Sequence, residues 1–109
     1  MENKFADWNK YRRQVNQVIL EYFNETGVPL ALRSLYFSFG QKILSIVKRQ
    51  KDKNIIDKLV EANICYFSKG FDANERVLRD IVKIIFLMKI ENKKPDEVLK
   101  EIFTDKANH

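Results

Sequence analysis

Apolar residues recur at helical spacing in four long segments of this chain and one short one. From Phe5 to Asn24, Trp8, Tyr11, Val15, Val18 and Tyr22 step by three and four residues, and Phe5, Ile19 and Phe23 widen the stripe, which predicts one amphipathic helix. Thr26, Gly27, Val28 and Pro29 interrupt it. Gly27 suits a left-handed cap and Pro29 a helix start, so a second helix begins near Leu30.

That second helix carries Leu32, Leu35, Tyr36, Phe39, Ile43, Ile46 and Val47 to about Gln50, with Ser34, Ser38, Gln41 and Ser45 on its other face. Tyr36, Phe37 and Phe39 cannot all face one neighbour, so the helix needs cover on two sides, from other helices of the chain or from another protein or copy. Arg33, isolated in apolar sequence, either snorkels outward or pairs across an interface. Gly40 costs ~1 kcal/mol relative to Ala in a helix interior, which close approach of another backbone would explain.

Asp52 reads as the N-cap of a third helix, where Ile55, Ile56, Leu59, Val60, Ala62, Ile64, Tyr66 and Phe67 form a broad face as far as Ser68. Asn63 lies on that face and is expected to fix helix register in the core. Lys69, Gly70 and Phe71 end the segment. Asp72 with Glu75 then reads as a variant capping box for a fourth helix over Ala73–Ile90. This helix has so few polar residues, chiefly Arg76, Arg79, Asp80 and Lys83, that it must be largely enclosed. Pro95 opens a short fifth helix with Asp96 and Glu97 at its start and Val98, Leu99, Ile102 and Phe103 facing inward, and a frayed tail is expected from Thr104.

Short breaks between long helices favour antiparallel neighbours. The predicted fold is therefore all-α: an up-and-down four-helix bundle with a short fifth C-terminal helix, one domain over residues 1–109. A chain of 109 residues supports one core, and Gly 3 with Pro 2 leaves little material for turns. The longest apolar stretch, Ile81 to Ile90, contains Lys83 and Lys89 and falls well short of the ~20 residues a membrane span requires. Met1 to Lys10 lacks the pattern of a secretory signal, and the lone Cys65 forms no internal disulfide, so a cytoplasmic location is expected.

Catalytic chemistry has little to draw on. The single histidine, His109, is the last residue, so neither a histidine-based catalytic site nor a bundle-core or zinc metal site can be assembled, and no cofactor is expected. Cys65 sits late in a helix without a histidine partner and reads as an inert, half-buried thiol. Asp57 and Glu61 share a helix face four residues apart, which could suit acid–base work or a cation, but nearby Lys53 and Lys58 favour solvated ion pairs. Gly27, Gly40 and Gly70 form no phosphate loop.

Charge distribution is more informative. The net charge is +5, with six bases against one acid over residues 29–53 and six against three over residues 73–95. Lys48, Arg49, Lys51 and Lys53 follow the second helix; Lys89, Lys93 and Lys94 follow the fourth. An up-and-down bundle makes those ends neighbours, and Lys4 and Lys10 would join them. Such an end can meet phosphates, although lysines also collect at helix C-termini because the dipole favours them. Arg76, Arg79 and Lys83 form a second stripe, partly satisfied by pairing of Glu75 with Arg79.

The segment from Pro29 through Arg33 to Gly40, Gln41, Lys42 and Ile43, then Leu59 to Asn63, then Leu78 and Arg79, resembles the accessory variability proteins of diversity-generating retroelements and their relatives encoded in ribosomal RNA intervening sequences. The resemblance spans roughly residues 11–103. It implies a small basic bundle that assembles into a ring and engages reverse transcriptase and nucleic acid, with Arg33, Arg76 and Arg79 as candidate contacts. In size, charge and helix count the chain is also similar to cytoplasmic immunity proteins against bacteriocins, whose bundles bind a transporter–toxin complex in the membrane.

The expected function is accordingly that of a non-enzymatic helical-bundle adaptor, with nucleic acid or a nucleoprotein as partner and a homo-oligomer as its form. The candidate nucleic-acid-binding residues are Lys48, Arg49, Lys51, Lys53, Arg76, Arg79, Lys83, Lys93 and Lys94. A protein-binding immunity or regulatory bundle is the alternative, and would be marked by an exposed groove lined by aromatics.

Overall fold

Among the described residues five helices follow one another as the apolar pattern predicts: α1 (Lys4–Thr26), α2 (Leu30–Arg49), α3 (Lys53–Gly70), α4 (Glu75–Lys89) and α5 (Pro95–Ala107). The computed structural model describes residues 4–107, and the side chains of residues 7–104. Phe5 of the predicted first stripe, Lys4 of the predicted basic end and His109 lie outside the described side chains.

The first four helices form an up-and-down bundle in which α4 packs against α1, α2, α3 and α5. Residue pairs fix the directions. Tyr22 meets Asp80 and Tyr11 meets Lys89, so α1 and α4 are antiparallel. Tyr22 also stacks on Phe103, which sets α5 beside α1. The core runs through all five helices, and Ile19, Phe23, Phe39, Ile43, Leu78, Ile81 and Ile85 are among its fully buried side chains.

Helix ends follow local chemistry. Gly27, at φ +72°, ends α1 in a Schellman-type turn: its N–H and that of Val28 both donate to Phe23 O, at 2.9 and 3.1 Å. Arg33 locks the same turn by donating from Nε to Val28 O (3.0 Å) and from Nη1 to Asn24 Oδ1 (2.8 Å), with its guanidinium 5.8 Å from the Phe23 ring. This intrachain work accounts for a charge in apolar sequence. Asp52 caps α3 as expected, accepting from Asn54 N.

The start of α4 differs from expectation. Its cap is Asn74, whose Oδ1 accepts from the backbone N–H groups of Arg76 and Val77, and the helix begins at Glu75 rather than Ala73. Asp72 instead takes a left-handed conformation (φ 55°) in the turn that leaves α3, which itself continues two residues past Ser68. The buried Tyr36 phenol then accepts from Asn74 N at 2.9 Å and ties the cap to α2. At the other end of the chain, α5 continues past Thr104 to Ala107.

The aromatic excess of α2 is absorbed within the chain: Tyr36 and Phe37 pack on Phe23 of α1, and Phe39 packs on Phe67 of α3. Gly40 faces side chains rather than a backbone, since a Cβ there would lie 3.5 Å from Ile19 Cδ1 and 3.7 Å from Ile81 Cγ2. Asn63 does not reach across the core; it is half-exposed and donates to Leu59 O of its own helix.

Candidate nucleic-acid interface

Bundle topology brings the C-terminal ends of α2 and α4 to the N-terminal end of α1, and the side chains record the meeting. Lys48, in the last turn of α2, holds Nζ 4.4 Å from the Trp8 ring centroid, and Lys89, in the last turn of α4, holds Nζ 5.3 Å from that of Tyr11. The two rings lie 5.6 Å apart. Each ring face attracts an ammonium, and each lysine also completes the negative end of its helix dipole. Arg49, Lys51 and Lys53 sit in the α2–α3 connection or beside it, and Lys93 and Lys94 in the α4–α5 connection, at this same end.

A cleft of about 340 Å³ opens here between Tyr11 and Gln14 of α1 and the segment Lys89–Pro95. The Tyr11 hydroxyl is buried and has no hydrogen-bond partner among the described residues, and burial pushes the phenol up to about 12. Acids temper the field. Lys93 donates to Glu101 at 2.6 Å, which raises the lysine above its ordinary value, and Asp96 and Glu97 occupy the first turn of α5.

The nine predicted binding residues do not form one patch. Lys48, Arg49, Lys51, Lys53, Lys93 and Lys94 belong to the end just described, whereas Arg76, Arg79 and Lys83 lie toward the start and middle of α4. Arg79 is engaged: it donates to Glu61 through both Nη atoms (2.8 and 3.1 Å) and to Glu75 through Nη2 (2.9 Å). These bonds hold the Glu61 carboxyl below its ordinary value and Arg79 above its own. The partner of Glu61 is thus an arginine across the α3–α4 cleft rather than a lysine of α3. Lys83 and Asp57 line that cleft too. Arg76 is close enough to favour ionisation of the Tyr22 phenol, against the stronger effects of burial and of Asp80.

Two features escaped the sequence reading. Trp8 and Tyr11 were assigned to the core stripe, yet both are partly exposed and bed the two lysines. Their position in the N-terminal part of a helix whose end neighbours two basic ends was the available signal. Tyr66 and Phe71 stand exposed beside α2, and Cys65 is exposed rather than half-buried. Among the described residues no helix is long and apolar enough to cross a membrane. No family model, curated protein or solved structure matches this chain.

Proposed function

We propose that this chain is a non-enzymatic helical-bundle adaptor whose basic end contacts the phosphates of a nucleic acid. The reading is supported by one observation above the others: lysines from the ends of α2 and α4 converge around Trp8 and Tyr11, with five more cations on the adjoining connections. Several ammonium groups spread over one end suit a repeating polyanion better than a single small ligand, because each neutralised phosphate releases condensed counterions. Partly exposed aromatic rings beside the cations add faces on which unpaired bases can stack. Arg79 is left out of this contact because it is held by Glu61 and Glu75, and Arg76 and Lys83 sit along α4 rather than at its basic end.

The test is binding of mixed-sequence single- and double-stranded RNA and DNA at two salt concentrations, with light scattering on the same samples to read the assembly state. Affinity should fall steeply with salt. Replacing Lys48, Arg49, Lys51 and Lys53 with Gln should weaken binding and reduce the slope of log affinity against log salt by up to about four. Absence of binding at low salt would overturn the proposal.

A further inference from the structure

A second surface lies along the junction of α2 and α3 and shares Arg49 with the basic end. The rings of Tyr66, Phe67 and Phe71 form a triangle with centroids 5.5–5.6 Å apart, and Phe67 is anchored below by Phe39 at 5.3 Å. Tyr66 and Phe71 are nonetheless 58% and 50% exposed, and with Leu35 and Lys42 of α2 they line a cleft of about 520 Å³. Ile55 and Leu59, 43% and 37% exposed, stand on the same face of α3 as Tyr66. At 1.5 Å per residue the stripe from Ile55 to Tyr66 runs about 16 Å, three turns of helix. An apolar row of this length beside a groove between helices is the form that accepts the apolar face of another helix.

Charge selects the occupant. Lys42 and Arg49 project from the α3-facing side of α2, and Lys58 and Lys69 follow the outer edge of the α3 stripe; all four are exposed. α2 contains no acidic residue, and the two acids of α3, Asp57 and Glu61, line the cleft on its opposite side toward α4. The apolar stripe is therefore rimmed by cations on both edges. A second copy presenting the same face would set these cations against their own kind. We infer that the α2–α3 groove docks an amphipathic helix of a partner protein, with apolar residues at i, i+3, i+4 and i+7 and acidic residues on its flanks.

The probe is a set of synthetic helix-forming peptides that share this apolar spacing and carry Glu, Lys or Gln on their flanks. The Glu-flanked peptide should bind saturably, at least tenfold tighter than the Lys-flanked one, and should shift backbone amide resonances around Leu35, Lys42 and Tyr66. Tyr66→Glu and Lys42→Glu should each weaken it at least tenfold, and Lys42→Glu should narrow the gap between the Glu- and Lys-flanked peptides. Circular dichroism checks that both variants fold; if Tyr66→Glu does not, Lys42→Glu alone decides. Lack of saturable binding, equal affinity for all three flanks, or shifts confined to another face would overturn the inference. So would a dimer of the protein that Tyr66→Glu dissociates, which would assign the groove to a second copy.

Discussion

The Tyr22 phenol of α1 donates to the Asp80 carboxylate of α4 at 2.5 Å, beside a largely apolar core. Tyr22 is almost fully buried and Asp80 partly so, and the bond gives the antiparallel pairing of these helices a polar register mark. A hydrogen bond to a charged group contributes about 1.5–3 kcal/mol, so Tyr22→Phe should lower unfolding stability by about 1–2 kcal/mol while preserving the shape of the core. Urea denaturation reads the loss, and a variant as stable as the parent would show that the bond contributes nothing net.

Tyr11→Phe should act in the opposite direction. The Tyr11 hydroxyl is buried without a partner among the described residues, and removing it relieves a desolvation cost, for a gain of up to about 1 kcal/mol at neutral pH. An unchanged or lowered urea midpoint would count against this account.

The same two phenols should contribute to loss of stability at alkaline pH. Burial raises both above the ordinary value of 10.0, Tyr11 to about 12, and for Tyr22 the bond to Asp80 adds to the effect. A group whose folded value is raised contributes stability that is complete below its unfolded value and is lost as pH rises toward the folded one. Stability should therefore be level up to about pH 10 and decline from there to about pH 12 and beyond. The decline should be shallower in Tyr11→Phe, which melting temperatures across this range can check.

Arg79 makes four hydrogen bonds to Glu61 and Glu75, but all three side chains are about half exposed, so solvent and salt screen the interaction. Arg79→Ala should cost less than about 1 kcal/mol, and less still at high salt. Glu61, held below its ordinary value, contributes in full only above the unfolded carboxyl value, and its small share should vanish as pH falls through the folded one. The salt-dependent nucleic-acid affinity proposed above should be unaffected by this variant.

Gly40→Ala should be stabilising. Its added Cβ would meet Ile19 and Ile81 at ordinary van der Waals distance, so the helix regains up to about 1 kcal/mol without a clash. Gly40→Leu, which overfills the same space, should lose stability; the pair of denaturation midpoints separates conformational preference from packing.

The apolar periodicity by itself determined the number of helices, their approximate limits and the faces they bury, because each of these is local to a few turns of chain. Gly27, Asp52 and Pro95 marked their boundaries for the same reason: a cap is satisfied by atoms only a few residues away. The expected cap of α4 was Asp72, two residues too early. Asn74 prevails in a start that Tyr36, thirty-eight positions distant, also holds by hydrogen bond. Antiparallel topology was enough to place Lys48 and Lys89 at one end, but not to show that they rest on Trp8 and Tyr11. Similarly, the sequence marked Tyr66 as apolar and Arg79 as basic. Only packing decided that Tyr66 stays exposed beside α2 while Arg79 is taken up by Glu61, because exposure and ion pairing depend on which surfaces distant helices leave uncovered.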